Sequence, residues 1–218
     1  MTTSPLSPRL LKGGLVLLDP VTSQIVRIIA LQYNPDTVTR TLQVQAVAES
    51  QDRSEALRLK APAVQTIKLD AEIDATDQLE LPDQNPVATQ VGIYPALAVL
   101  ESLVNPTSAQ LLQANALAAQ GTLEIAPMIA PLALFVWSAR RLMPVRITDF
   151  SITEEAFDPA LNPIRAKVSL GMRVLTVNDL GFDQKGGALF MSYLQGQERL
   201  ATMSPGAALG TLGITGIP

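Results

Sequence analysis

The sequence predicts a mainly β chain with helices confined to short stretches, an α+β protein built on antiparallel sheet. Two runs carry the prediction. Ile67, Leu69, Ala71 and Ile73 alternate with Lys68, Asp70, Glu72 and Asp74, and Ile164, Ala166, Val168, Leu170, Met172 and Val174 alternate with Arg165, Lys167, Ser169, Gly171 and Arg173. A period of two puts one side of each strand in a core and the other in water. Clusters of Pro, Asn, Asp and Gly punctuate the remaining apolar runs at the intervals expected of hairpins. The 218 residues are 47% apolar and 17% charged, which suffices for a large core and excludes a solvated, disordered polymer.

Taken in order, residues 1–12 read as an N-terminal extension with two prolines, and residues 13–180 as the β domain. Gly14 to Leu18 and Ile25 to Tyr33 form a hairpin across the turn-rich Asp19-Pro20-Val21-Thr22-Ser23, and Asn34-Pro35-Asp36 stops the second arm. Thr41 to Val47 is the next strand. Ala48 to Ala63 is polar without a period and reads as a surface loop, before the alternating strand 67–74. Asp77 to Ala88 reads as a polar connection. Val91 to Val104 then spaces Leu97, Leu100, Leu103 and Val104 as a helix with Pro95 in its first turn. Ser108 to Ala119 is a second, weaker helix, stopped by Gly121, so a helical insertion lies near 90–120.

Strand patterning returns at Leu132 to Trp137, then at Arg141 to Ile152 and Pro163 to Leu175, the last two joined by Phe157 to Pro163 as a hairpin loop. Val145 and Ile147 occupy one parity while Phe150 and Ile152 occupy the other. A β-bulge near Asp149 reconciles them. Residues 181–218 supply a helix over Gly187 to Met203, with Leu189, Tyr193, Leu194 and Leu200 as its apolar stripe, and a Gly-rich apolar tail that needs a partner to order it. No repeat of solenoid length is present.

Composition excludes much chemistry. Without cysteine there is no thiolate nucleophile or sulfur-ligated metal, and without histidine the commonest general base and metal ligand are missing. A formal charge of −4 offers no basic surplus for a phosphate backbone, so nucleic acid is not expected as a partner. Leu15 to Leu18 is too short for a signal-peptide core, and Leu123 to Trp137, broken by Glu124, Pro127 and Pro131, falls below the about 20 residues a bilayer span needs. That stretch reads as buried, direct membrane insertion is not expected, and the default compartment is the cytoplasm.

The candidate catalytic features have plainer readings. Glu154 and Glu155 are the only adjacent carboxylates, yet strand neighbours point to opposite faces. Asp70, Glu72 and Asp74 share a face but stand about 7 Å apart, too far for one ion. Lys185-Gly186-Gly187 lacks the full phosphate-loop pattern and reads as a helix start. Arg140-Arg141 beside Trp137 has the residue types of an interaction hot spot, and equally those of a strand end. No catalytic, cofactor-binding or metal-ligating residue is expected, and the chain does not read as an enzyme.

The run Leu31-Gln32-Tyr33-Asn34-Pro35-Asp36 resembles the aromatic-Asn-Pro motif near the start of contractile injection system tube proteins. The segments that follow are in the order of that family: Ile93-Tyr94-Pro95 opening a helix, Pro131 to Trp137, Val145 to Thr148, Ser151 to Phe157 with Phe150 before it, and Asn162-Pro163-Ile164-Arg165-Ala166. The likeness spans roughly Gly13 to Asp179. It implies a phage tail-tube-like barrel or sandwich with a flanking helix, and a homo-hexameric ring at the baseplate of a phage-tail-like particle. Such a ring acts as tube initiator, contacting the spike protein, the inner tube protein and other baseplate subunits. The C-terminal LysM module common in the family has no room here, so peptidoglycan binding is not carried over. On this view Tyr33, Asn34, Pro35, Trp137, Phe150, Phe157, Asn162 and Pro163 are the structural motif. The oppositely charged faces bearing Lys68, Asp70 and Glu72 and bearing Arg165, Lys167 and Arg173 suit head-to-tail assembly contacts. The alternative is a free-standing β-sandwich that binds a carbohydrate or peptide, which calls for an exposed aromatic platform in a chain with only 4% aromatic residues.

Overall fold

The computed structural model describes residues 11–46, 58–121 and 129–217. Seven strands form one antiparallel sheet: β1 (Gly14–Leu18), β2 (Ile25–Ala30), β3 (Val38–Ala46), β4 (Leu59–Asp74), β5 (Leu132–Ser138), β6 (Arg141–Phe157) and β7 (Pro163–Val174). Their spatial order is β2-β1-β5-β6-β7-β4-β3. The fold is thus mainly β with helices, on a single continuous sheet. Among the described residues four α-helices sit between β4 and β5: α1 (Thr76–Leu79), α2 (Pro86–Val91), α3 (Tyr94–Glu101) and α4 (Ser108–Ala119). The long α5 (Lys185–Thr202) follows β7 and packs against β6.

Cross-strand register builds the core. Ile67 lies opposite Met172, which lies opposite Ile147, while Ala133, Val145 and Val174 line up across β5, β6 and β7. These side chains share one face, where Ile67, Met143, Val145, Val168, Leu170 and Met172 are essentially inaccessible. Each such burial is worth about 1.5–3 kcal/mol. Leu97 and Leu100 of α3 and Phe190 and Tyr193 of α5 join the same cluster. Tyr193 does so with its hydroxyl accepting from Arg40 Nη2 at 2.9 Å, which ties α5 to β3. The Gln65 amide, with its oxygen turned to the guanidinium, accepts from Arg40 Nε at 2.9 Å and covers the rest of that buried polar contact.

The bulge is where the parity change places it. Ile147 pairs with Met172 and Asp149 with Gly171, leaving Thr148 as the extra residue of β6. That single insertion lets Val145 and Ile147 before it, and Phe150 and Ile152 after it, all reach the core cluster. Gly171 is required beside it, since a Cβ there would stand 2.6 Å from the Asp149 carboxylate.

Several expectations change. The second hairpin arm ends at Ala30, because the Leu31 amide turns back to donate to the Gly13 carbonyl and the chain leaves the sheet. Leu59 to Ala63 are strand where a loop was expected, paired with Gln45 and Ala46 through an irregular register; residues 48–57 of that stretch lie outside the described ones. The connection 77–88 is a series of short helical turns. Asn85-Pro86 starts α2, and Gly92 at φ +58° divides the expected 91–104 helix into α2 and α3. In the stretch 123–137, residues 123–128 lie outside the described ones and Ile129 to Pro131 are exposed, so burial begins only at the strand itself. On α5 the stripe includes Phe190, and Gly186 and Gly187 lie inside its first turn.

Candidate assembly interface

A seven-stranded open sheet has two ends, and among the described residues neither terminal strand has a partner on its outer side. β2 presents Ile25, Val26 and Ile28 at 61%, 58% and 65% exposure. β3, at the other end, presents Leu42 and Val44 at 55% and 65%. An edge that carries unpaired backbone groups and exposed apolar side chains is a template for another strand. β2 has a bulge at Val26, where Leu17 pairs with Arg27 but Leu18 with Ile25, so its regular part is Arg27 to Ala30. The two edges differ in length and sequence, and a contact between them is therefore head-to-tail.

Two residues of the Leu31–Asp36 run tie the β2–β3 connection to β1 and β4, the strands next to the two edges. Asn34 Oδ1 accepts from the Gly13 amide at 2.8 Å and its Nδ2 donates to the Leu11 carbonyl at 2.7 Å, so one side chain pins the chain entering β1. Gln32 does the same for β4: Nε2 donates to the Asp74 carbonyl at 2.6 Å and Oε1 accepts from the Asp74 amide at 3.0 Å. Tyr33 itself is exposed. Asn162 donates to the Gln90 carbonyl and to Asp158 Oδ2, and the buried Pro163 offers its carbonyl to the Ile93 amide at 2.9 Å, which locks the β6–β7 loop onto the α2–α3 junction. Trp137 stacks on Phe135 at 6.1 Å between ring centroids, Phe150 packs at the core margin, and Phe157 is exposed. Asn34→Ala removes both tethers of the β1 entry. We expect a loss of about 1–2 kcal/mol, read as a lower denaturant midpoint at unchanged slope.

The charged strand residues are arranged differently from the expectation. Glu72 lies directly opposite Lys167 and Asp74 opposite Arg165 on adjacent strands of the same sheet face. They therefore form one mixed surface within the subunit instead of two faces of opposite sign. Glu155 of β6 closes it, with Arg165 Nε at 3.2 Å and Lys167 Nζ at 3.1 Å. Lys68, Asp70 and Glu72 remain exposed beside it, and Arg173 pairs with Asp179 at 2.8 Å.

Among the described residues five carboxyls sit below their ordinary range. The Lys167 ammonium, with Arg165, lowers Glu155; the Asn162 amide lowers Asp158; the Thr76 hydroxyl lowers Asp74; and the Thr22 amide lowers Asp19. At Asp179 burial pushes upward, but the Thr176 amide and Arg173 outweigh it. Groups depressed in the folded state stabilise it above the unfolded carboxyl pKa, and that contribution disappears as pH falls through the folded values. The melting temperature is expected to hold from neutrality down to about pH 5 and to fall below about pH 4. Asp179→Asn should flatten that acid limb, whereas an identical limb in the variant would show that Asp179 is not part of it.

Among the described residues no group of three or more Asp or Glu is placed to hold a metal ion, and no helix is long and apolar enough to cross a membrane. Sequence reasoning did not identify which strands form the exposed edges, nor the Arg40–Tyr193 tie, because strand order and contacts 153 residues apart leave no local pattern. No family model matches the chain, and no curated protein matches it. The solved structures that align loosely with it include two from gene transfer agent particles. A chain from the tail of an empty gene transfer agent particle with C6 symmetry shares 13% identity at TM-score 0.29, over 75% of this chain and 90% of that one. A chain from the virion of a native gene transfer agent particle shares 12% at 0.27, over 74% and 90%.

Proposed function

We propose that this chain is a structural subunit of a phage-tail-like contractile injection particle. Copies close into a hexameric ring at the baseplate, between the spike and the first ring of the inner tube, and the work done is mechanical joining without a chemical step. The observation that supports the reading is the pair of open sheet edges. β2 and β3 each expose apolar side chains, and closing a ring of copies pairs every such edge at once. The aromatic-Asn-Pro segment fits the same role, since Asn34 and Gln32 tie the connection between the two edge strands to the start of β1 and the end of β4. Assembly would take place in the cytoplasm, with the spike protein, the inner tube protein and other baseplate subunits as partners.

Light scattering of the purified full chain, alone and with the cognate spike protein, tests this. The expected species is a closed ring, either spontaneous or formed on adding spike. A chain that stays monomeric in both conditions and is missing from purified particles overturns the proposal.

A further inference from the structure

We infer that the groove between the β5–β6 turn and α5 is a docking site for an acidic amphipathic helix of a different protein. The groove encloses about 440 Å³, with Leu142 on the sheet side and Leu189, Leu200 and Met203 on the helix side. The three leucines are half-buried and Met203 is exposed, so the subunit alone leaves this apolar trough in contact with water. On α5 it runs from Ser192 to Met203, about 17 Å or three turns at the usual rise. That is the footprint of one helix laid along another, in which apolar residues at i, i+3 or i+4, and i+7 fill the trough.

Gly196 is the first feature that points to an occupant. It stands in the interior of an 18-residue helix, where glycine is weaker than alanine. Gly186 and Gly187, in the first turn, have a reason within the subunit: a Cβ would stand 2.3 Å from the Leu180 side chain and 2.2 Å from the Gly181 carbonyl oxygen. Gly196 has none. Its φ is not in the left-handed range, and a Cβ built on it meets nothing within 4 Å. It lines the groove, with the small Ser192 one turn before it, so the α5 backbone is bare where an incoming helix would cross.

Charge defines the occupant. Arg140 on the turn and Arg199 on α5 both line the groove and are exposed, and among the described residues no carboxylate lines it. Neither guanidinium forms an ion pair among those residues, whereas Arg165, Lys167 and Arg173 are all paired. An apolar trough with a guanidinium on each wall selects an apolar stripe flanked by Asp or Glu, because the planar fork of arginine suits fixed pairing with carboxylates. Among the described residues this chain has no such helix to offer another copy. α1 has four residues, α2 and α4 carry no charge, α3 carries only Glu101, and α5 forms the groove itself. The β5–β6 turn joins inner strands of the sheet, so pairing of the β2 and β3 edges does not use the groove, and the site does not depend on ring closure.

The test uses the full chain and a fluorescein-labelled helical peptide of about 14 residues, with a leucine stripe flanked by glutamates, read by anisotropy. Saturable binding is expected, and replacing the glutamates with lysines should weaken it about tenfold or more. Gly196→Leu fills the trough and should weaken binding by a similar factor. Gly196→Ala should raise the melting temperature, which shows that α5 itself does not need the glycine. Arg140→Glu with Arg199→Glu should reverse the preference, so that the lysine peptide binds better than the glutamate peptide, a gain that misfolding cannot produce. No saturable binding, or binding indifferent to both Gly196→Leu and the arginine reversal, overturns the docking site. Displacement of the glutamate peptide by an excess of the arginine-reversed chain would make the occupant a second copy and overturn its assignment to a different protein. Light scattering keeps the two readings apart: rings without peptide binding sink only the docking site, and peptide binding without rings, alone or with spike, sinks only the ring.

Discussion

Replacing Gly92 with alanine is expected to cost about 3 kcal/mol or more, and to lower the melting temperature by roughly 6–12 °C. Gly92 sits at φ +58° and ψ −135°, a backbone region that side chains disfavour. An added Cβ would also stand 2.2 Å from the Pro163 carbonyl oxygen. That oxygen cannot retreat cheaply, because it accepts the Ile93 amide and Pro163 is buried in the β6–β7 hairpin end. The clash therefore pries the α2–α3 junction from the sheet. Gly121→Ala is the control: Gly121 has φ +79° but no neighbour within 4 Å of a built Cβ, so its cost is the backbone preference alone, about 1–2 kcal/mol. Equal effects at the two positions would mean that the Pro163 contact contributes nothing.

The same junction shows where the sequence is readable. The alternating runs 67–74 and 164–174 appear as β4 and β7 because one strand face must be dry, and period two reports that directly. The bulge at Thr148 was legible for the same reason, since the inward parity changes across it. Gly92 was not legible. Val91 to Val104 keeps helical spacing across it, and only the hydrogen bond from Ile93 to a carbonyl some 70 residues away reveals that the chain must turn there. The charged residues illustrate the same limit. Lys167 reads as part of a basic strand and Glu72 as part of an acidic one, but register places them opposite each other, and local charge pattern carries no register. The two charged strands therefore adjoin within one subunit, which only the strand order and register reveal.

Lysine at the sheet edges should separate lateral assembly from folding. Val26→Lys with Ile28→Lys blocks β2, and Leu42→Lys with Val44→Lys blocks β3. These side chains are more than half exposed, so each pair of changes should alter the stability of the isolated subunit by no more than about 1 kcal/mol. In a strand-to-strand contact, by contrast, an ammonium buried without a partner costs several kcal/mol, and each 1.4 kcal/mol is tenfold in affinity. Ring formation is expected to weaken by about a hundredfold or more for either variant, measured as the mass by light scattering across a concentration series. The decisive sample is the equimolar mixture. If β2 of one copy pairs with β3 of the next, a chain with β2 blocked still offers its β3 to a chain with β3 blocked, and the pair can grow no further. The mixture then gives a dimer while each variant alone stays monomeric. If edges instead pair with their own kind, each blocked variant still dimerises by itself through its intact edge. That outcome would replace a head-to-tail ring with a two-fold dimer, since a self-complementary edge cannot close a cyclic ring alone.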